Sequence, residues 1–343
     1  MRKVLVTGYN GYIGVLITRL LKEEGYFVIG LDTNYFGDDC RFSDYIRPDQ
    51  EIVKDIRLVS NNDLNGVYAV CHLAALSNDP VGALNVELTY EINHSASVNL
   101  AIKAKDAGVE KFLFSSSCSM YGISEEDSAL DETAAFSPVT AYAMSKVRTE
   151  QDVKPLVNED FSVTFLRNST AYGISPKLRV DLVVNNLIGW AVTTGQIRIM
   201  SDGTPWRPLI HAEDIARAFA AVIKAPKEAI KGKSYNIGKN SENYRIRDIA
   251  NMIKEVIPGC EVIISGEYGS DSRSYKVDFT KVEMELPEFR PKWNLYEGIE
   301  EIYKSYLIHG MNDERFNGRY FIRLKQLNYL LSQNKINEHL FWS

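Results

Sequence analysis

The sequence predicts an α/β protein built on a doubly wound parallel sheet, with a smaller mixed α/β lobe in the second half of the chain. Three observations carry this. Short apolar runs alternate with helical stretches through the first half, at 3–7, 12–24, 27–31, 67–73, 89–107 and 111–115, the rhythm of strands joined by crossover helices. The first run ends in a glycine-rich turn that opens directly into a helical stretch. After Pro176 the alternation loosens into mixed helices and short strands. The expected organisation is therefore a dinucleotide-binding-type domain over 1–175, a smaller lobe over 176–310 and a helical tail over 311–343, with later strands returning to the main sheet near 235–240.

Composition sets the outer limits. With 343 residues, 45% hydrophobic and 24% charged, the chain can bury a large core. A net charge of −6 offers no basic stripe for nucleic acid, so any anionic ligand must be met by local arginines. Cys40, Cys71, Cys118 and Cys260 are widely spaced, with no metal-ligand pattern and no disulfide framework, which points to reduced thiols in a cytoplasm and to no metal site. Met1-Arg2-Lys3 runs straight into the first strand, and no apolar run is long enough to span a membrane.

In chain order, the strand Val4-Leu5-Val6-Thr7 leads into Gly8-Tyr9-Asn10-Gly11-Tyr12-Ile13-Gly14 and then a helical run from Val15. Glycines at such a turn allow a tight bend and a close approach of phosphate to backbone at a helix N-terminus. The next strand ends at Asp32, eighteen residues after Gly14. A carboxylate there accepts hydrogen bonds from an adenosine ribose and repels a 2′-phosphate, which favours NAD over NADP. The pattern Leu100, Ala101, Ala104, Ala107 before Gly108 predicts a helix with a glycine cap, followed by the strand that ends in Ser115-Ser116-Ser117. A hydroxyl at that sheet edge can hold a reacting alcohol.

Tyr142 and Lys146 are four apart, which places both on one helix face. A cation beside a phenol favours phenolate, so Tyr142 is expected to titrate below the usual value of about 10 and to act as a general base. Apolar spacing over 320–331 predicts an amphipathic helix in the tail, packing on the body or on a second subunit.

Taken together in this order, the glycine turn, the serine strand and the Tyr142/Lys146 pair resemble the extended short-chain dehydrogenase/reductase family, the nucleotide-sugar epimerases and dehydratases on a Rossmann sheet, from about Lys3 to about Lys281. The resemblance implies an NAD site formed by Gly8, Gly11, Tyr12, Ile13, Gly14 and Asp32, with Asp55-Ile56 flanking adenine, Leu73, Ala74 and Ala75 after His72 beside the cofactor, and Asn93 and Ser115 contributing to it. It further implies Ser117, Tyr142 and Lys146 as the catalytic set, with Lys146 also on the nicotinamide ribose. A homodimer through the helices around 89–107 and 142–157 is implied as well.

For the substrate, a nucleotide-diphosphate sugar, the resemblance implies Arg207 in Gly203-Thr204-Pro205-Trp206-Arg207 and Arg273 in Asp271-Ser272-Arg273-Ser274-Tyr275 as diphosphate ligands, since guanidinium meets phosphate in a bidentate fork. Ser119, Thr170 and Asn186 are expected near the sugar, with Asp181 and Asn185 as either contacts or helix caps. His211 is expected to be structural. Relatives that eliminate water carry an acid pair directly after the catalytic serine, where this chain has Cys118 and Ser119. Without a carboxylate there, elimination lacks its proton carrier. The expected reaction is therefore 4-epimerisation through a transient 4-keto sugar; net 4-dehydrogenation or 4-keto reduction would use the same residues.

Overall fold

The computed structural model describes residues 1–77, 79–123, 128–266 and 273–343. Its strands are β1 Lys3–Thr7, β2 Phe27–Asp32, β3 Gln50–Val53, β4 Val67–His72, β5 Lys111–Ser117, β6 Ser162–Asn168, β7 Thr170–Tyr172, β8 Gln196–Ile199, β9 Trp206–His211, β10 Ser234–Ile237, β11 Asn243–Arg245 and β12 Glu261–Ile264. Seven of them form one sheet in the order β10-β6-β5-β4-β1-β2-β3, every pairing parallel.

The run Val4-Leu5-Val6 shows why this sheet is apolar throughout. Val4 and Val6 join the core on one face, with the helices Gly14–Glu23 and Ala212–Lys224, while Leu5 joins the core on the other, with the helix Ala96–Asp106. Alternation along the strand feeds two cores, so nothing polar is needed on either side. The strand order reverses between β1 and β4, and the crevice at that point is where open α/β sheets take ligands.

The second lobe packs its own core around Ile188, Leu209, Ile249 and Ile302. It carries a three-stranded sheet β11-β9-β7 and a parallel pair β12-β8. β10 belongs instead to the large sheet, beside β6.

One segment differs from expectation, and the tail follows it. The stretch expected as one helix over 89–107 is a helix Val86–Tyr90, a π-helical turn Glu91–Ser95 and a helix Ala96–Asp106. The wide turn leaves the Asn93 carbonyl able to accept from Ser97 Oγ at 2.7 Å and Thr149 Oγ1 at 3.1 Å, which ties this helix to Ala141–Val153. The tail forms two helices, Asp313–Asn317 and Arg323–Ser332, and packs on the body: Leu327 and Leu330 enter the core under β1 and β4. No helix among the described residues is long and apolar enough to cross a membrane.

Candidate functional site

The C-terminal ends of β1, β2, β4, β5 and β6 open into one cavity of about 700 Å³. Every residue that the sequence nominated for cofactor, catalysis or substrate lines it, except Asn93 and Asn185.

The glycine turn forms one wall. Gly8, at φ +72°, donates its N–H to Leu31 O at 2.8 Å. A Cβ on Gly14 would stand 2.1 Å from Gly8 O, so only glycine lets the helix start this close to β1. That helix has no side-chain cap and no acid in its first turn. Its positive end therefore meets the cavity as a ready seat for phosphate. Asp32 is fixed by Asn34 N–H at 2.7 Å and Asn10 N–H at 3.2 Å. Burial raises its pKa, against the pull of those two N–H groups. Uncapped amides, a glycine cradle and a ribose-height carboxylate together fit a dinucleotide.

Ile56 presents an apolar edge, whereas the Asp55 carboxylate is taken up by Arg57, Nη2 to Oδ2 2.7 Å. Asn93 is a correction to the cofactor set. Its side chain is buried behind the wall, accepting from Leu76 N–H at 2.7 Å and donating to Leu76 O at 3.0 Å, so it braces the loop after β4 and does not line the cavity. His72 likewise sits behind the wall, between Thr7 Oγ1 and Ser97 Oγ, each at 2.7 Å; burial pushes its pKa down to about 3, so it is a neutral strut.

Thr140 begins the helix Ala141–Val153 by accepting from Ala143 N–H, and its hydroxyl donates to Asp79 Oδ1 at 2.6 Å. Tyr142 follows at the cavity. Lys146, one turn on, donates to Ser115 O at 2.7 Å and lies 5.6 Å from the centre of the Tyr142 ring. Burial, not the ammonium, dominates the phenol: it pushes the pKa of Tyr142 up to about 12, helped by the charge on Asp79 and opposed by Arg179, Ser117 and Arg273. The expected downward shift from Lys146 alone is thus corrected. Burial drives Lys146 itself down to about 7, with Glu150 pulling it back.

All three serines at the end of β5 line the cavity, but the Ser116 side chain is buried with its hydroxyl 3.5 Å from Met120 Sδ, while Ser115 and Ser117 are partly exposed. Cys118 points away, its Sγ on Arg167 O at 3.1 Å, and Ser119 lines the cavity with its hydroxyl unpartnered. Asn168 ends β6, donating to Ser115 Oγ at 3.1 Å, with Oδ1 unpartnered; Thr170 lies two residues on. Beneath them Arg167 and Glu150 form a buried ion pair at 2.7 Å, and Arg167 also donates to Tyr121 OH, which donates to Asn236 Oδ1. That network pins the Tyr142 helix to β6 and β10.

The opposite wall is basic. Arg207 Nη1 donates to Trp206 O at 2.9 Å and to Arg273 O, and Arg273 pairs with Asp79 at 2.9 Å. Asp271 and Ser272 of the same motif lie outside the described residues. Asn186 lines the wall, but Asn185 is spent on Gly173 and Arg179 O. Neither residue nor Asp181 caps the following helix, whose N-cap is Leu182 without a side-chain bond. His211 stays outside, stacked on Trp293 at 4.3 Å and bound to Glu301.

The lining residues that escaped the sequence reading include three charged ones, Asp79, Arg179 and Arg323. Arg179 grips Asp181 through two bonds, Nε at 3.0 Å and Nη2 at 2.9 Å. Lys177 and Arg179, two apart in an apolar stretch, were the available signal: basic residues on one face of an extended chain need buried acceptors.

A profile of the NAD dependent epimerase/dehydratase family matches residues 4–238. The chain belongs to that family. It is 26% identical over 333 residues to the UDP-glucose 4-epimerase of Bacillus subtilis, covering 87% of this chain and 94% of that one. It is 27% identical over 334 residues to the human dTDP-D-glucose 4,6-dehydratase, covering 89% and 90%. Among solved structures, MoeE5 in complex with UDP-glucose and NAD superposes with a TM-score of 0.76 at 25% identity, over 89% of this chain and 99% of the other. The cofactor of this NAD-dependent enzyme is therefore the dinucleotide that the glycine wall fits.

Proposed function

We propose that the chain is a nucleotide-sugar 4-epimerase that works through a transient 4-keto sugar. The observation that carries this reading is the pair after Ser117. Cys118 is turned away onto a backbone carbonyl and Ser119 is a hydroxyl, so neither of the two positions after Ser117 offers the carboxylate that a dehydratase needs. Asp79, whose charge bears on Tyr142, has both oxygens engaged, by Thr140 and Arg273. Relatives named as epimerases of UDP-sugars support the same choice.

In this reading Gly11 to Gly14 hold the diphosphate of NAD and Asp32 its adenosine ribose. When bound, NAD supplies the hydride acceptor and donor for C4 and a positive ring beside the phenol. Tyr142 takes the proton of the 4-hydroxyl and later returns it. Ser117 donates a hydrogen bond to the same oxygen, and Lys146 would hold the nicotinamide ribose. Arg207 and Arg273 clamp the substrate diphosphate while the sugar ring turns, so both faces of C4 meet one catalytic pair. The working form is read as a homodimer packed through Ala96–Asp106 and Ala141–Val153, where Ile102 is 41% exposed. Four free, buried thiols suit a reducing cytoplasm.

The test is NMR of UDP- and dTDP-linked hexoses incubated with the enzyme in deuterated water. A C4 epimer free of solvent deuterium is expected. Label at C5 or loss of water would overturn the reading in favour of elimination, and stoichiometric NADH would replace it with net dehydrogenation.

A further inference from the structure

Ile322, Arg323, Leu324 and Leu327 of the tail line the same cavity as the glycine turn and Asp32. The helix Arg323–Ser332 begins at that wall with Ile322 as its N-cap and no side-chain cap. A basic residue in the first turn opposes the helix dipole, so Arg323 is misplaced for helix stability alone. It is also only 3% exposed, and its Nη1 has no partner among the described residues. The guanidinium is nonetheless held in one orientation: Nη2 donates to Lys177 O at 2.9 Å and the plane lies 4.2 Å over Phe36. Burial pushes its pKa down to about 10. A clamped, buried, unsatisfied guanidinium beside uncapped helical amides is a site prepared for an anion.

The acids nearby do not fill that place. Asp32 accepts from Asn10 and Asn34, and Asp181 is gripped by Arg179. The remainder of the tail anchors to the loops around the adenosine end. Gln326 donates to Tyr35 O at 3.0 Å, the Tyr35 hydroxyl donates to Leu340 O, Trp342 Nε1 donates to Thr33 O at 2.6 Å and Arg57 donates to His339 O at 2.9 Å. The segment spans from the loop after β2 to the one after β3, with Arg323 between them and the substrate lobe.

We propose that the tail helix is a second diphosphate-binding wall of the dinucleotide site, with Arg323 and the amides at its start meeting the diphosphate of NAD opposite the glycine turn. The tail then straps the cofactor in place, and release of NAD requires the segment to lift. This rests on NAD as the cofactor and not on the choice of reaction, so failure of epimerisation leaves it untouched.

The test uses the purified holoprotein, with bound NAD counted after acid release and its displacement followed with adenosine, ADP-ribose and UDP as competitors. In the parent protein ADP-ribose should outcompete adenosine strongly. In Arg323→Gln that advantage should shrink by about tenfold or more, the weight of a charge-assisted bond to phosphate, with UDP binding unchanged. Arg323→Lys should recover part of it. If Arg323→Gln does not fold, Leu324→Asp puts a carboxylate at the helix start; because Leu324 packs half-buried on the core, the variant should fold with a somewhat lower melting temperature, and it should speed NAD release at least tenfold. An unchanged adenosine to ADP-ribose ratio in folded Arg323→Gln, a loss confined to UDP, or unaltered NAD release in Leu324→Asp would each overturn the proposal.

Discussion

The two walls of the cavity are made by different means. One is a set of neighbours: the glycine turn, the serines of β5 and the Tyr142 helix, locked by sheet register that sets Ser115 against Leu166 and Ser117 against Asn168. The other is four arginines from distant points of the chain, Arg179, Arg207, Arg273 and Arg323, each held by a contact of its own. In the proposed reaction the first wall carries proton transfer, and backbone fixes its geometry. The second would carry recognition in the same proposal, and its members can change with little cost to the sheet, which is how one fold serves many ligands.

Substitutions on the first wall should separate catalysis from binding most sharply. Tyr142→Phe should lower turnover by about 10²- to 10⁴-fold, the range for loss of a general base, while NAD content stays that of the parent. Next in size, Arg167→Met leaves Glu150 buried and uncompensated, and denaturant titration should read a loss of about 3–5 kcal/mol. Equal stability would show that the pair does not anchor the helix.

On the second wall the effect should be smaller and should fall on KM. Arg207→Gln should raise the KM for the nucleotide sugar about tenfold or more with kcat and bound NAD little changed; a fall in kcat alone would move Arg207 to the chemical side of the comparison. The smallest effect joins the walls. The Asp79 charge adds to burial in holding the Tyr142 phenol up, so Asp79→Asn should shift the alkaline rise of the rate to lower pH; a shift upward would reverse the assigned sign. Acid stability offers a separate check on the first wall. His72, held neutral with a folded pKa near 3 against an ordinary 6.5, binds fewer protons when folded, so stability should be full above pH 6.5 and decline as pH falls toward 3. His72→Gln should flatten that decline.

The same contrast explains what the sequence disclosed. Gly8, Gly11, Gly14, Asp32, Tyr142 and Lys146 were legible because their spacing within single strand–turn–helix units already implies a shared face. Arg179 and Arg323 were not, since each gains its place only when a loop of the second lobe and a tail helix meet Tyr35, Phe36 and Ser77. The π-helical turn at Glu91–Ser95 also left no periodic trace, because the contact it makes possible, Thr149 on the Asn93 carbonyl, comes from another helix. The pKa of Tyr142 was misjudged for a related reason: four residues of spacing announce the ammonium but not the burial that outweighs it.

The alternation along β5 sets a length as well as an orientation. At about 3.3 Å per residue, Ser115 and Ser117 stand roughly 7 Å apart on one face. The first meets Lys146 through its carbonyl and Asn168 through its hydroxyl; the second faces the Tyr142 side. The strand is thus a ruler graduated in pairs, with one mark for the cofactor end and one for the sugar end. Removing a single residue upstream in β5 would turn Phe114 and Ser116 toward the cavity and bury both marks at once, so the ruler tolerates exchange of side chains far better than any change in its count.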